Sequence, residues 1–119
     1  MLDHVGLEVS DLHRSARFYD AVLYALGHRR LHATPSAVAY GTVEPGLWIV
    51  SRGERARPGY GHVALRAAGK AAVVAAHRAG LEHGGRDAGE PGPRPQYGAR
   101  TYAEYLHDPD GFRVELVAN

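Results

Sequence analysis

Gly61-His62-Val63-Ala64-Leu65 restates Asp3-His4-Val5-Gly6-Leu7. Shifting the chain against itself so that His4 falls on His62 also lays Val5 on Val63, Leu7 on Leu65 and Leu26-Gly27 on Gly84-Gly85. Each copy opens on histidine in a short alternating run, passes through a segment with helical spacing, and ends at glycine. Repetition on this scale decides the architecture before any single residue is weighed: one supersecondary unit is present twice.

Working outward from the first copy, residues 4 to 9 alternate. His4, Gly6 and Glu8 share one face, and Val5, Leu7 and Val9 share the other, the period of a half-buried strand. Ser10 or Asp11 is placed to cap a helix. Ala16, Tyr19, Val22, Leu23 and Leu26 then recur at steps of three and four, predicting an amphipathic helix that stops at Gly27. That helix covers the Val5-Leu7-Val9 face and leaves the His4 face open. Three short strands follow, over 29–32, 37–41 and 47–51, separated by Thr34-Pro35-Ser36 and Glu44-Pro45-Gly46. The first unit is β-α-β-β-β, and the polar, turn-rich stretch 52–60 links it to the second.

The second unit opens with a strand over 62–67, with His62, Ala64 and Arg66 on the face equivalent to that of His4. An Ala-rich helix over about 70–83 follows, with Ala71, Val74, His77 or Arg78, and Leu81 as its expected inner face. The stretch 90–98, Glu-Pro-Gly-Pro-Arg-Pro-Gln-Tyr-Gly, is rich in proline and glycine and reads as a loop of the kind that covers a site. Strands over 101–107 and 112–117, joined by Asp108-Pro109-Asp110-Gly111, close the unit. The expected fold class is α+β, with one domain built from module 1 (about 1–51), the linker (52–60) and module 2 (61–119).

Composition narrows the function classes. The 119 residues carry a net charge of +1, and the basic residues are dispersed, so no tract argues for nucleic acid. All 14 basic residues except Lys70 are arginine, a usage that suggests a GC-rich bacterial genome. With no cysteine, disulfides, thiolate nucleophiles and Cys-based metal sites are excluded, and any metal must use histidine and carboxylate. No apolar run approaches a membrane span and no signal peptide is evident, so the expectation is a soluble, cytoplasmic protein.

Taken together, Asp3-His4-Val5, Ser10-Asp11-Leu12 with Ala16-Arg17-Phe18-Tyr19, Leu26-Gly27, Gly61-His62-Val63, and Asp108-Pro109-Asp110-Gly111 leading to Glu115 span essentially the whole chain. In these marks the chain resembles the vicinal oxygen chelate superfamily, which includes glyoxalase I, extradiol dioxygenases, fosfomycin-resistance enzymes and bleomycin-resistance proteins. The resemblance implies paired βαβββ modules whose eight strands form a cup-shaped mixed sheet. It also implies a homodimer, which in relatives of this length often swaps modules. His4 would then stand beside His62 and Glu115 of the partner subunit.

Strand parity allows His4, His62 and Glu115 to face one concavity, and the resemblance makes them metal-ligand positions. Two imidazoles and a carboxylate suit a divalent ion (Fe, Mn, Ni or Zn) with positions left open for a bidentate oxygen substrate. A lone histidine at a strand end is ordinarily a surface or hydrogen-bonded residue, and that reading stands for His13, His28, His32, His77, His83 and His107. For His4 and His62 the matched repeat positions reverse it. Glyoxalase I adds a second carboxylate from the last strand of the first unit, but here that strand reads Leu47-Trp48-Ile49-Val50. A three-ligand set is more like the dioxygenases or the fosfomycin-resistance enzymes. Tyr105 is the candidate catalytic hydrogen-bond donor. Trp48, Arg66, Tyr97, Thr101 and Arg113 are the candidate substrate-binding residues, with packing or charge balance as their plainer roles.

The expected function is that of a metal-dependent lyase, isomerase or dioxygenase acting on a small substrate that chelates the ion through neighbouring oxygens. The alternatives are a metal-free, drug-sequestering protein of the bleomycin-resistance type and a fosfomycin-modifying enzyme.

Overall fold

The computed structural model describes all 119 residues. Module 1 comprises β1 (Val5–Glu8), α1 (Leu12–Ala25), β2 (Arg29–Ala33), β3 (Ala37–Gly41) and β4 (Pro45–Val50). Module 2 comprises β5 (His62–Arg66), α2 (Lys70–Glu82), β6 (Arg86–Pro93), β7 (Tyr102–His107) and β8 (Arg113–Ala118). The strands form two four-stranded mixed sheets of identical plan, ordered β1-β4-β3-β2 and β5-β8-β7-β6. In each, the first strand of the module runs parallel to the last, and the remaining pairs are antiparallel. The duplication read from the two histidine strands is thus a duplication of topology. Within the chain β1 and β5 are both edge strands, with no ladder between them.

Local chemistry explains the elements. The Asp11 side chain accepts the Arg14 N–H at 3.1 Å and starts α1, and Gly27, at φ +88, lets the chain leave the helix. Ala16, Phe18, Tyr19, Val22 and Leu23 form its buried face and share one apolar core with Leu7, Val9, Tyr40, Leu47 and Ile49; the periodicity predicts all of these helix residues but Phe18, and Leu26 is only partly buried. On its outer edge Asp20 holds Arg30 through two 2.8 Å bonds and accepts the Tyr40 hydroxyl at 2.8 Å.

The inner face of α2 differs from expectation. Val73, Ala76, His77 and Gly80 are buried, whereas Val74 and Leu81 are exposed. An Ala-rich helix offers little contrast from which to choose a face. Gly80 chooses it. A Cβ there would stand 2.5 Å from Leu106 Cδ1 and 3.1 Å from both Phe18 Cε2 and Val22 Cγ2, so the glycine admits the close crossing of α1 over α2. This crossing joins the inner faces of both sheets in one apolar core.

A second correction concerns the expected loop at 90–98. The strand β6 runs on through Glu90-Pro91-Gly92-Pro93, and only the residues after it are loop. Proline is tolerated because β6 is an edge strand paired with β7 alone, and the ladder is irregular on both sides of Gly89.

The turn Asp108-Pro109-Asp110-Gly111 fastens the modules together. Asp108 is buried and accepts the N–H groups of Asp110 and Phe112 within its own turn and the Tyr19 hydroxyl from α1 at 2.7 Å. Asp110 accepts the Ser10 N–H and Arg14 Nη2, each at 2.9 Å. Burial, followed by the charge of Asp108, raises the Tyr19 pKa well above its ordinary value and keeps the phenol a donor.

Candidate functional site

The face of each sheet turned away from the helices carries the chemistry. In module 2 the parallel register sets His62 beside Arg113 and Ala64 beside Glu115, while the antiparallel register sets Tyr105 beside Glu115. Four of the residues singled out from the sequence therefore meet on one surface. His62 Nε2 lies 3.1 Å from Glu115 Oε2, and the Tyr105 ring stands edge-on to the imidazole at 6.0 Å between centroids. The Arg113 guanidinium sits 4.0 Å over the Tyr105 ring rather than pairing with Glu115. Arg66 follows His62 and Ala64 along the same face, exposed and without an acidic partner.

Glu115 is nearly buried, its side chain 11% exposed, and the His62 imidazole is the partner against it. A shielded carboxylate against one imidazole is short of positive charge. Burial, then the charge of Glu115, raises the Tyr105 pKa and keeps its phenol protonated. Tyr97 and Arg94, from the segment after β6, are near enough for their charges to bear on that phenol.

In module 1 the corresponding face holds His4, Gly6 and Glu8, with Trp48 alongside Gly6. Trp48 stacks on His32 of β2, with ring centroids 5.9 Å apart and planes 6° from parallel. Glu8 pairs with Arg52 of the linker. The β4 residues on this face are Gly46, Trp48 and Val50, so none of them is a carboxylate.

His4 is exposed just before β1, and its Nδ1 lies 2.6 Å from Asp3 Oδ1. It lines a cavity of about 480 Å³ together with His62, Val5, Val63, Leu47 and Glu44. No three His, Asp or Glu side chains of a single chain are arranged to hold a metal ion. The chain thus brings His62 and Glu115 into contact, while His4 shares a cavity with His62 without completing a three-ligand cluster. The donor chemistry of the His62–Glu115 pair, one imidazole and one carboxylate, suits a divalent cation. Thr101 lies apart: it is buried, donates to Asn119 Oδ1 at 3.1 Å and lines a separate cavity with Lys70 and Tyr102.

Sequence reasoning overlooked a cluster on the opposite, helix-facing side of the second sheet. Glu104 is fully buried and both carboxylate oxygens lack a hydrogen bond, while His77 Nε2 lies 3.6 Å from Oε2 and 3.0 Å from Asp87 Oδ1. Burial, reinforced by the charges of Asp87 and Glu115, pushes the Glu104 pKa up to about 8. The hydrogen bond from His77, then one from the Gly89 N–H, hold Asp87 below its ordinary range. Parity was the available signal, since Glu104 shares a strand face with Tyr102 and Leu106.

Comparison with known proteins agrees with this architecture. The chain is 30% identical to a lactoylglutathione lyase of Haemophilus influenzae, over 98% of this chain and 90% of that protein. Among solved structures it is similar to a glyoxalase/bleomycin resistance protein from Albidiferax ferrireducens T118, with a TM-score of 0.88 and 32% identity, covering 100% of this chain and 98% of that one. It shares its fold with the fosfomycin resistance protein FosX from Mesorhizobium loti, at a TM-score of 0.72 and 21% identity over 100% of this chain and 92% of that one. The family model of the Glyoxalase/Bleomycin resistance protein/Dioxygenase superfamily matches residues 1–116, and the chain, with its two βαβββ modules, belongs to that superfamily.

Proposed function

We propose that this protein is a divalent-metal-dependent enzyme, a lyase, isomerase or dioxygenase, acting on a small substrate that presents two neighbouring oxygens. The observation that carries the reading is the His62–Glu115 pair, a shielded carboxylate against an imidazole at 3.1 Å on an open sheet face. His62 and Glu115 of one copy and His4 of a second copy hold the ion, so the working form is a homodimer with shared sites. A divalent ion held there supplies Lewis acidity toward the substrate oxygens. The Tyr105 phenol donates a hydrogen bond to the oxygen on which negative charge develops. Arg113, free of a carboxylate and already against the Tyr105 ring, orients an anionic substrate, with Arg66 farther along the face and Tyr97 at its edge. Trp48, backed by His32, forms an apolar wall. Thr101 contributes through its bond to Asn119, which ties the start of β7 to the chain end.

Because no β4 residue on the open face is a carboxylate, a reaction that needs a fourth acidic ligand from that strand is disfavoured relative to one served by two histidines and one glutamate. A second reading is metal-free sequestration of an aromatic ligand, and it draws on the absence of a three-ligand cluster within the chain and on the stacked Trp48 and His32.

Elemental analysis of the purified protein separates the two. About one Mn, Fe, Ni or Zn per chain, lost in His62→Ala, supports the enzyme and directs a screen of vicinal-oxygen substrates, fosfomycin among them. Absence of metal from both proteins after reconstitution rejects the enzymatic reading in favour of sequestration.

A further inference from the structure

A second polar cavity, of about 570 Å³, lies away from the His62–Glu115 pair, where the linker crosses the start of α1. Ser10, Arg14, Arg55, Ala56, Arg57, Pro58, Pro109 and Asp110 line it, so three of its eight lining residues are arginine and one is acidic. That acid is already engaged: the two Asp110 oxygens accept the Ser10 N–H and Arg14 Nη2, each at 2.9 Å. Arg55 and Arg57 form no ion pair and no side-chain hydrogen bond with the protein. Neither is loosely placed along the backbone, because the Ala56 N–H between them donates to Ser10 Oγ at 2.7 Å and pins the linker over the helix start. Glu54, beside Arg55 in sequence, lines no part of the cavity.

Two guanidiniums that form no ion pair line the same cavity as a third whose partner is a single carboxylate, an arrangement that favours an anion among them. Guanidinium forks match the multiple oxygens of a tetrahedral dianion, and several can share it from different sides. The cavity is larger than one phosphate ion, which leaves room for the group that carries the phosphate. We propose that this cavity is a binding site for a small phosphomonoester, with Arg55 and Arg57 as its principal ligands and Arg14 as the third. The site needs neither the metal nor a second chain.

Calorimetric titration of metal-free protein with phenyl phosphate and with inorganic phosphate, at physiological salt, tests the proposal. The expected result is saturable binding of one phenyl phosphate per chain, weakened at least roughly tenfold in Arg55→Ala/Arg57→Ala. Both side chains are exposed on the linker, so thermal melting of the double variant should match the unaltered protein, and partial recovery is expected in Arg55→Lys/Arg57→Lys. The variant His62→Ala should bind phenyl phosphate normally, which separates this site from the proposed metal site. Binding unchanged in the double alanine variant, or heats that disappear at physiological salt, would overturn the proposal. Equal affinity for succinate or citrate would overturn the assignment to phosphate.

Discussion

His62 and Glu115 lie on adjacent parallel strands, two residues out of direct register, and their side chains meet at 3.1 Å on the face that neither helix covers. A carboxylate shielded to this degree is costly unless matched by positive charge, and one imidazole matches it incompletely. Glu115→Gln keeps the shape and removes the charge. With the metal reading, this variant should bind the reconstituted ion roughly a hundredfold more weakly while its melting temperature without metal stays level or rises. Competition with a metal-responsive chelator dye reads the first effect and calorimetry the second; unchanged affinity would remove Glu115 from the ligand set.

Tyr105 offers a separate test because its ring packs against both His62 and Arg113. Tyr105→Phe preserves that packing and deletes only the hydroxyl. Once a turnover assay is available, kcat should fall by about 10- to 1000-fold with metal affinity unchanged. An equal loss of metal affinity would instead make Tyr105 a support for the ligands.

Glu104 should govern the pH dependence of stability. Its carboxyl titrates near 4.5 in ordinary surroundings and is raised to about 8 in the fold, chiefly by burial. The folded chain therefore keeps a proton that the unfolded chain releases, so stability is highest below pH 4.5 as far as this group is concerned and declines as pH rises toward 8. The loss across that window is on the order of 5 kcal/mol. Urea unfolding of Glu104→Gln at several pH values should show this decline flattened relative to the unaltered protein; parallel curves would mean that Glu104 is ionised in the fold, compensated by His77.

The helix crossing depends on Gly80. Gly80→Ala gains about 1 kcal/mol of helix propensity but places a methyl 2.5 Å from Leu106 Cδ1 and 3.1 Å from the Phe18 ring in a filled core. A net destabilisation of about 1–2 kcal/mol is expected in urea unfolding, whereas Ala79→Gly, one position away, should lose only the propensity difference. A Gly80→Ala protein as stable as the original would show that the helices can separate freely.

These cases show what was legible in the sequence. The module plan and the strand faces that carry His62, Glu115 and Arg113 followed from a period of two and an internal repeat, both insensitive to packing detail, whereas the placing of Tyr105 on that face followed from the family resemblance. The inner face of α2 did not follow, because alanine at most positions hides the stripe and the deciding residue is a glycine with no hydrophobicity of its own. Nor did β6, where Pro91 and Pro93 read as loop unless the strand is known to lie at an edge. Strand parity set Glu104 beside Leu106, but its meeting with His77 depends on how α2 packs across the sheet, which no pattern along the chain specifies. Under the proposed shared site, the role of His4 is a question of association, which a pattern within one chain does not address.

That question carries the central claim. His4→Ala and Glu115→Ala chains, each deficient in metal binding, should be unfolded together, refolded as a mixture and assayed for bound metal. If His4 serves the site of its partner, half of the dimers are mixed and each regains one complete site of two, so the mixture should hold about a quarter of the metal bound by the unaltered protein. A mixture that forms mixed dimers and binds no more metal than the two variants measured separately would contradict the shared site.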